Sequence, residues 1–172
     1  MPATATFGAE ISKPVVTVEE NRALIDFELS EAFDERFLDR IQSGLPTGFV
    51  YRLELRKDRK RWYDRPMRET TLQVVAMYDA VAREYLVNTK LGGKLVESRG
   101  VTDLADLERE MTRVIRLPAF ELDEFPSSWR LIVRVRAEMG SKTLLSFIPV
   151  TIKTDWGESK KFRTKNALPD GA

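Results

Sequence analysis

Residues 56–66, RKDRKRWYDRP, hold six basic side chains: Arg56, Lys57, Arg59, Lys60, Arg61 and Arg65. Asp58 and Asp64 interrupt them, so six bases less two acids leave a local charge of +4, with Trp62 and Tyr63 alongside. Guanidinium and ammonium groups at this density match the phosphates of lipid head groups, lipopolysaccharide or nucleic acid. An adjoining Trp or Tyr suits a membrane interface or a stacked base. The competing structural reading is a solvated hairpin whose Trp62 folds back on the sheet edge under Arg61 or Arg65. Basic residues there would also discourage edge-to-edge sheet pairing. A second row, Arg130, Arg134 and Arg136, extends the patch if its strand lies beside Arg52 and Arg56. Acids from the set Asp26, Glu28, Glu54 and Glu138 are then expected between the arginines, because like charges directly opposite one another destabilise a sheet.

Other chemistry is thinly supported. The chain has no histidine and no cysteine, which removes imidazole and thiol nucleophiles, disulfides and the commonest metal ligands. There is no GxSxG elbow and no GxxxxGK[ST] phosphate loop. Gly92 and Gly93 in KLGGKL read as a hairpin turn. A carboxylate pair of glycosidase type has candidates in Asp26, Glu28, Glu54, Asp64, Asp79 and Asp155, but no spacing singles out two of them. The chain therefore reads as non-enzymatic, with no cofactor or metal site. Its 28 Lys and Arg against 27 Asp and Glu leave a net charge of +1, so any grip on an anion is local.

The dominant sequence period is two. Ala23, Ile25, Phe27 and Leu29 share one face of ALIDFELS, Phe49, Tyr51, Leu53 and Leu55 one face of TGFVYRLELRK, and Trp129, Leu131, Val133, Val135 and Ala137 one face of SSWRLIVRVRAEM. Further strands are expected in ETTLQVVAMYDAV, REYLVNTK, KLVESRG and LLSFIPVTIKTDW. Two stretches break the period. SEAFDERFLDRIQSGLP spaces Phe33, Phe37 and Ile41 as a helix closed by Gly44, and TDLADLEREMTRVIRLP spaces Leu104, Leu107, Met111 and Val114 or Ile115 as a helix capped by Thr102 or Asp103 and ending before Pro118. Both are expected to pack on a sheet. The reading is a mainly β, two-layer antiparallel β-sandwich, immunoglobulin-like or related, with two short inserted helices over residues 1–162 and a disordered tail at 163–172. An α+β sheet with both helices on one side is the rival.

The ordered set of FELSEAF, a helix leading into SGLPTGFVYRLEL, the RWYD stretch, AMYDAVAREYLV, LEREMTRV and a strand ending TDW resembles the bacterial family named domain of unknown function 4390. The similarity covers residues 8 to 162. The resemblance implies a small, mostly β envelope protein made with an export signal; it carries over no assigned activity and no functional residue. MPATATFGAEISK departs from that pattern, lacking the charged start and apolar run of a signal peptide. No stretch reaches the roughly 20 apolar residues of a membrane helix, so an integral membrane protein is not expected.

The functional expectation is a binding or interaction module at the periplasmic side of the envelope. Its 56–65 loop would meet an anionic lipid surface or an envelope protein. A cytoplasmic nucleic-acid binder using the same loop is the alternative, and a hydrolase with an unrecognised carboxylate pair a weaker one.

Overall fold

The computed structural model describes residues 8–58, 65–141 and 150–164. Among them, eleven strands form two antiparallel sheets and two helices connect the sheets. In the small sheet, β1 (Glu10–Ile11), β2 (Val15–Glu19) and β8 (Arg113–Glu121) all pair with β3 (Arg22–Ser30). In the large sheet, β4 (Thr47–Lys57), β5 (Arg68–Asp79), β6 (Glu84–Leu91) and β7 (Lys94–Val101) follow one another as hairpins. The other flank of β4 is taken by β9 (Leu131–Ser141), which carries β10 (Val150–Lys153) and β11 (Gly157–Glu158) on its far side. Helix α1 (Glu35–Gln42) leads from the small sheet to the large one, and α2 (Leu104–Thr112) leads back.

The period-two faces are the inner ones. Phe49, Tyr51, Leu53 and Leu55 of β4 and Leu131, Val133, Val135 and Ala137 of β9 are buried against Ala23, Ile25, Phe27 and Leu29 of β3. The Val, Leu, Ile and Phe side chains among them contribute roughly 1.5–3 kcal/mol each when fully buried. Phe27 meets Tyr51 edge-on across the sheets at 5.1 Å, and Phe37 of α1 stacks on Phe49 at 4.6 Å. Asp34 caps α1 by accepting from the Phe37 amide, and Asp103 caps α2 by accepting from the Asp106 amide. Leu107 and Met111 of α2 enter the same core, where the Tyr51 hydroxyl donates to the Met111 carbonyl at 2.7 Å. Both helices thus close one sandwich core, and the one-sided α+β arrangement does not occur.

Several elements differ from the sequence reading. The second helix stops at Thr112, and Val114, Ile115 and Pro118 belong to β8. Pro118 is tolerated because it sits opposite Leu24, where the β3–β8 register shifts. Leu104, counted on the apolar stripe, is 41% exposed. Strand β5 ends at Asp79, whose carboxylate accepts the Val81 and Ala82 amides in a turn. The Gly92–Gly93 hairpin forms, both residues having positive φ. Glu20 and Asn21 make an equivalent left-handed turn between β2 and β3 without glycine. Residues 142–149 of the expected last strand, and 165–172 of the expected tail, lie outside the described residues.

Candidate anion-binding face

Strand alternation turns Arg52, Glu54 and Arg56 of β4 to the outer face of the large sheet, together with Arg134, Arg136 and Glu138 of β9. The two strands are neighbours, so the two basic rows meet. Arg52 stands opposite Arg136, and Glu54 opposite Arg134. The repulsion in the first pair is relieved two residues along β9, at Glu138. Oε1 of Glu138 lies 2.8 Å from Nε of Arg52, 3.0 Å from Nη2 of Arg136 and 3.6 Å from Nζ of Lys153. Glu54 takes Nε of Arg56 at 2.7 Å. The expected interleaving of acids holds for Glu54 and Glu138. Asp26 and Glu28 sit on β3 of the other sheet, where Asp26 accepts the backbone amide of Arg116.

Trp156 completes the face. The Arg134 and Arg136 guanidiniums lie 4.7 and 4.5 Å from its ring centre, a cation–π arrangement that holds both side chains down on the sheet. Its position comes from a break in the edge pairing. Lys153 pairs with Glu138 but Gly157 pairs with Val135, so one extra residue bulges out between them. The Thr154 hydroxyl bridges that bulge, accepting from the Ala137 amide at 3.0 Å and donating to the Asp155 carbonyl at 2.9 Å. Ser159 repeats the device with the Val133 amide and the Lys160 carbonyl.

Among the described residues, seven cations of β4, β9 and the closing segment are ion-paired to four carboxylates, so several cations share one acid. Glu138 is held below its ordinary pKa: burial pushes it up, and the combined pull of Arg52, Lys153 and Arg136 outweighs that push. It stays ionised and shared, while Arg52 keeps a side chain that is 51% exposed. Between β4 and β5 lies an open depression of about 430 Å³ bounded by Arg52, Arg136, Glu54, Glu69, Thr70 and Thr71. Arginines so held offer paired N–H donors to a phosphate or carboxylate with little further ordering. Glu54, one of the six acids named from sequence, faces Glu69, which was not among them, and Glu54 is tied to Arg56.

Of the residues singled out from sequence, Arg59, Lys60, Arg61, Trp62 and Tyr63 lie outside the described residues, as does Asp64. Arg56 belongs to the outer face. Lys57 is turned the other way, its ammonium 3.7 Å from the Trp129 ring centre. Arg65 is exposed. Asp58, at the entrance to the loop, is held by Lys161 at 2.9 Å and Arg130 at 3.7 Å, so the loop springs from the end of the same face. Sequence reasoning missed Trp156 and Lys153. A bulge breaks the alternation that would have placed them.

A family model described as Domain of unknown function (DUF4390) matches residues 7–158. The chain belongs to this family. The match to DUF4390 takes in β1 through β11, and so every residue named above on the outer face except Lys161. No curated protein and no solved structure matches the chain. No helix among the described residues is long and apolar enough to cross a membrane.

Proposed function

We propose that this DUF4390 domain is a non-enzymatic binding module of the bacterial envelope. Its outer β4–β9 face and the 56–65 loop together engage an anionic surface of the kind that phosphate head groups present. The observation that carries this reading is the cluster of cations at Trp156, with Arg134 and Arg136 on its ring and Arg52 and Arg136 sharing Glu138, in a chain whose 56–65 segment has a charge of +4. The periplasmic location rests on the family resemblance and is tested by fractionating cells that express the gene with its full upstream region.

The loop is tested by changing Arg59, Lys60 and Arg61 together to Ala. The variant keeps the wild-type melting transition and loses most of its cosedimentation with phosphatidylglycerol vesicles; undiminished cosedimentation refutes the loop's role. Salt-sensitive binding of oligonucleotides, stronger than binding to vesicles, would instead select the nucleic-acid reading.

A further inference from the structure

Where the corner between β1 and β2 passes the end of the chain's closing segment, the two sheets part around a cleft of about 270 Å³. Its floor is apolar, made by Pro14, Val15, Val16 and Phe162, and its rim carries Lys13, Lys160 and Lys161. No acidic residue among those described lines it. Lys161 is engaged by Asp58, whereas Lys13 and Lys160 have no carboxylate partner among the described residues. Val15 is 59% exposed, leaving part of the apolar wall open to solvent.

The cleft has a definite cause. At Gly157 the corner and β11 are in backbone contact: a Cβ there would stand 2.9 Å from the Ser12 carbonyl oxygen and 2.8 Å from Ile11. Beyond it, Phe162 turns to pair with Leu131, and the walls separate. Lys13 and Lys160, without a carboxylate partner among the described residues, stand over an apolar floor whose Val15 is exposed. One kind of occupant suits both, an apolar chain ending in an anion. The volume is just under the ~300 Å³ at which pockets for drug-sized ligands begin, enough for part of one chain and too small for a two-chain lipid.

We infer that this cleft takes a single acyl chain bearing a phosphate head, with Lys13 and Lys160 on the phosphate and Val15, Val16 and Phe162 along the chain. This rests on the proposed function for its ligand class, but on none of the same side chains. The probe is dodecyl phosphate below its aggregation concentration, titrated calorimetrically into the full chain. Saturable one-to-one binding is expected, weakened about tenfold in the double variant Lys13→Ala/Lys160→Ala and blocked by Val15→Trp. Dodecyltrimethylammonium, with the same chain and the opposite charge, binds far more weakly. Both lysines are exposed, so the double variant folds normally. The Arg59, Lys60 and Arg61 triple variant keeps full affinity for dodecyl phosphate, which separates this site from the loop. Absence of saturable binding, equal binding of the cationic detergent, or wild-type affinity in the double lysine variant would each overturn the inference.

Discussion

Among the described residues, two clefts lie where the sheets part, and they are lined by different patterns of charge. On the α2 side, a groove of about 380 Å³ has Leu72, Val74, Val96, Ile115 and Leu117 in its lining. Of the arginines that line it, Arg109 is paired with Asp106 and Arg116 with Glu19, while Arg113 has no carboxylate partner among the described residues; its two acids, Glu97 and Glu110, both hold the neighbouring Arg99. On the side of the closing segment, Lys13 and Lys160 have no carboxylate partner among the described residues, and on the outer face Arg52, Arg136 and Lys153 share Glu138 while Arg134 reaches Glu158 at 3.9 Å. A balanced rim is what a fold needs to keep a seam soluble. An unbalanced one costs stability through self-repulsion and is retained where an anion completes it.

The largest test of this contrast removes the tie of the closing seam. Gly157→Val pushes a side chain into the Ser12 carbonyl and should cost about 3 kcal/mol, the upper end for overpacking, read as a lowered urea midpoint. The tie of the α2 seam is weaker. Tyr51→Phe leaves the buried Met111 carbonyl without its donor and should cost about 1.5 kcal/mol. Burial raises the Tyr51 pKa above its ordinary value near 10. A raised folded pKa gives stability that is complete below the unfolded value and is lost as pH rises beyond it, so wild type should weaken above about pH 10, and Tyr51→Phe less steeply.

On the outer face, Glu138→Gln releases Arg52, Arg136 and Lys153 from a carboxylate whose side chain is only 9% exposed, and should cost about 1 kcal/mol at neutral pH. Its depressed folded pKa gives stability present above the ordinary value of 4.5 and lost as pH falls through the folded one. In acid titration, wild type and variant should therefore converge. Arg99→Ala, on the balanced rim, should barely move the urea midpoint and leave vesicle binding unchanged, because exposed ion pairs contribute little.

Much of this architecture was legible in the chain. Strands with one wet face alternate strictly, so β3, β4 and β9 and their inner residues could be read directly, and Asp103 and Gly44 marked helix ends by their chemistry. The misses have physical causes. Strand β8 follows α2 without a turn, so Val114 and Ile115 fell on the helical spacing that Leu107 and Met111 began. Strand β2 was hidden because Glu20 and Asn21 adopt the left-handed turn that glycine usually announces. The basic rows on β4 and β9 were visible as residues, but their adjacency is a property of strand order, which only long-range pairing sets. Trp156 needed a bulge, and bulges leave no period.

The central claim, that the cluster of cations at Trp156 binds an anionic surface, is tested most directly by moving its charge in both directions. Arg52→Gln removes one exposed cation and Glu138→Gln removes the shared anion, and both are compared with wild type on phosphatidylglycerol and phosphatidylcholine vesicles at fixed salt. Binding should weaken for Arg52→Gln and strengthen for Glu138→Gln on phosphatidylglycerol, with neither change on phosphatidylcholine. Equal binding by all three proteins would contradict it.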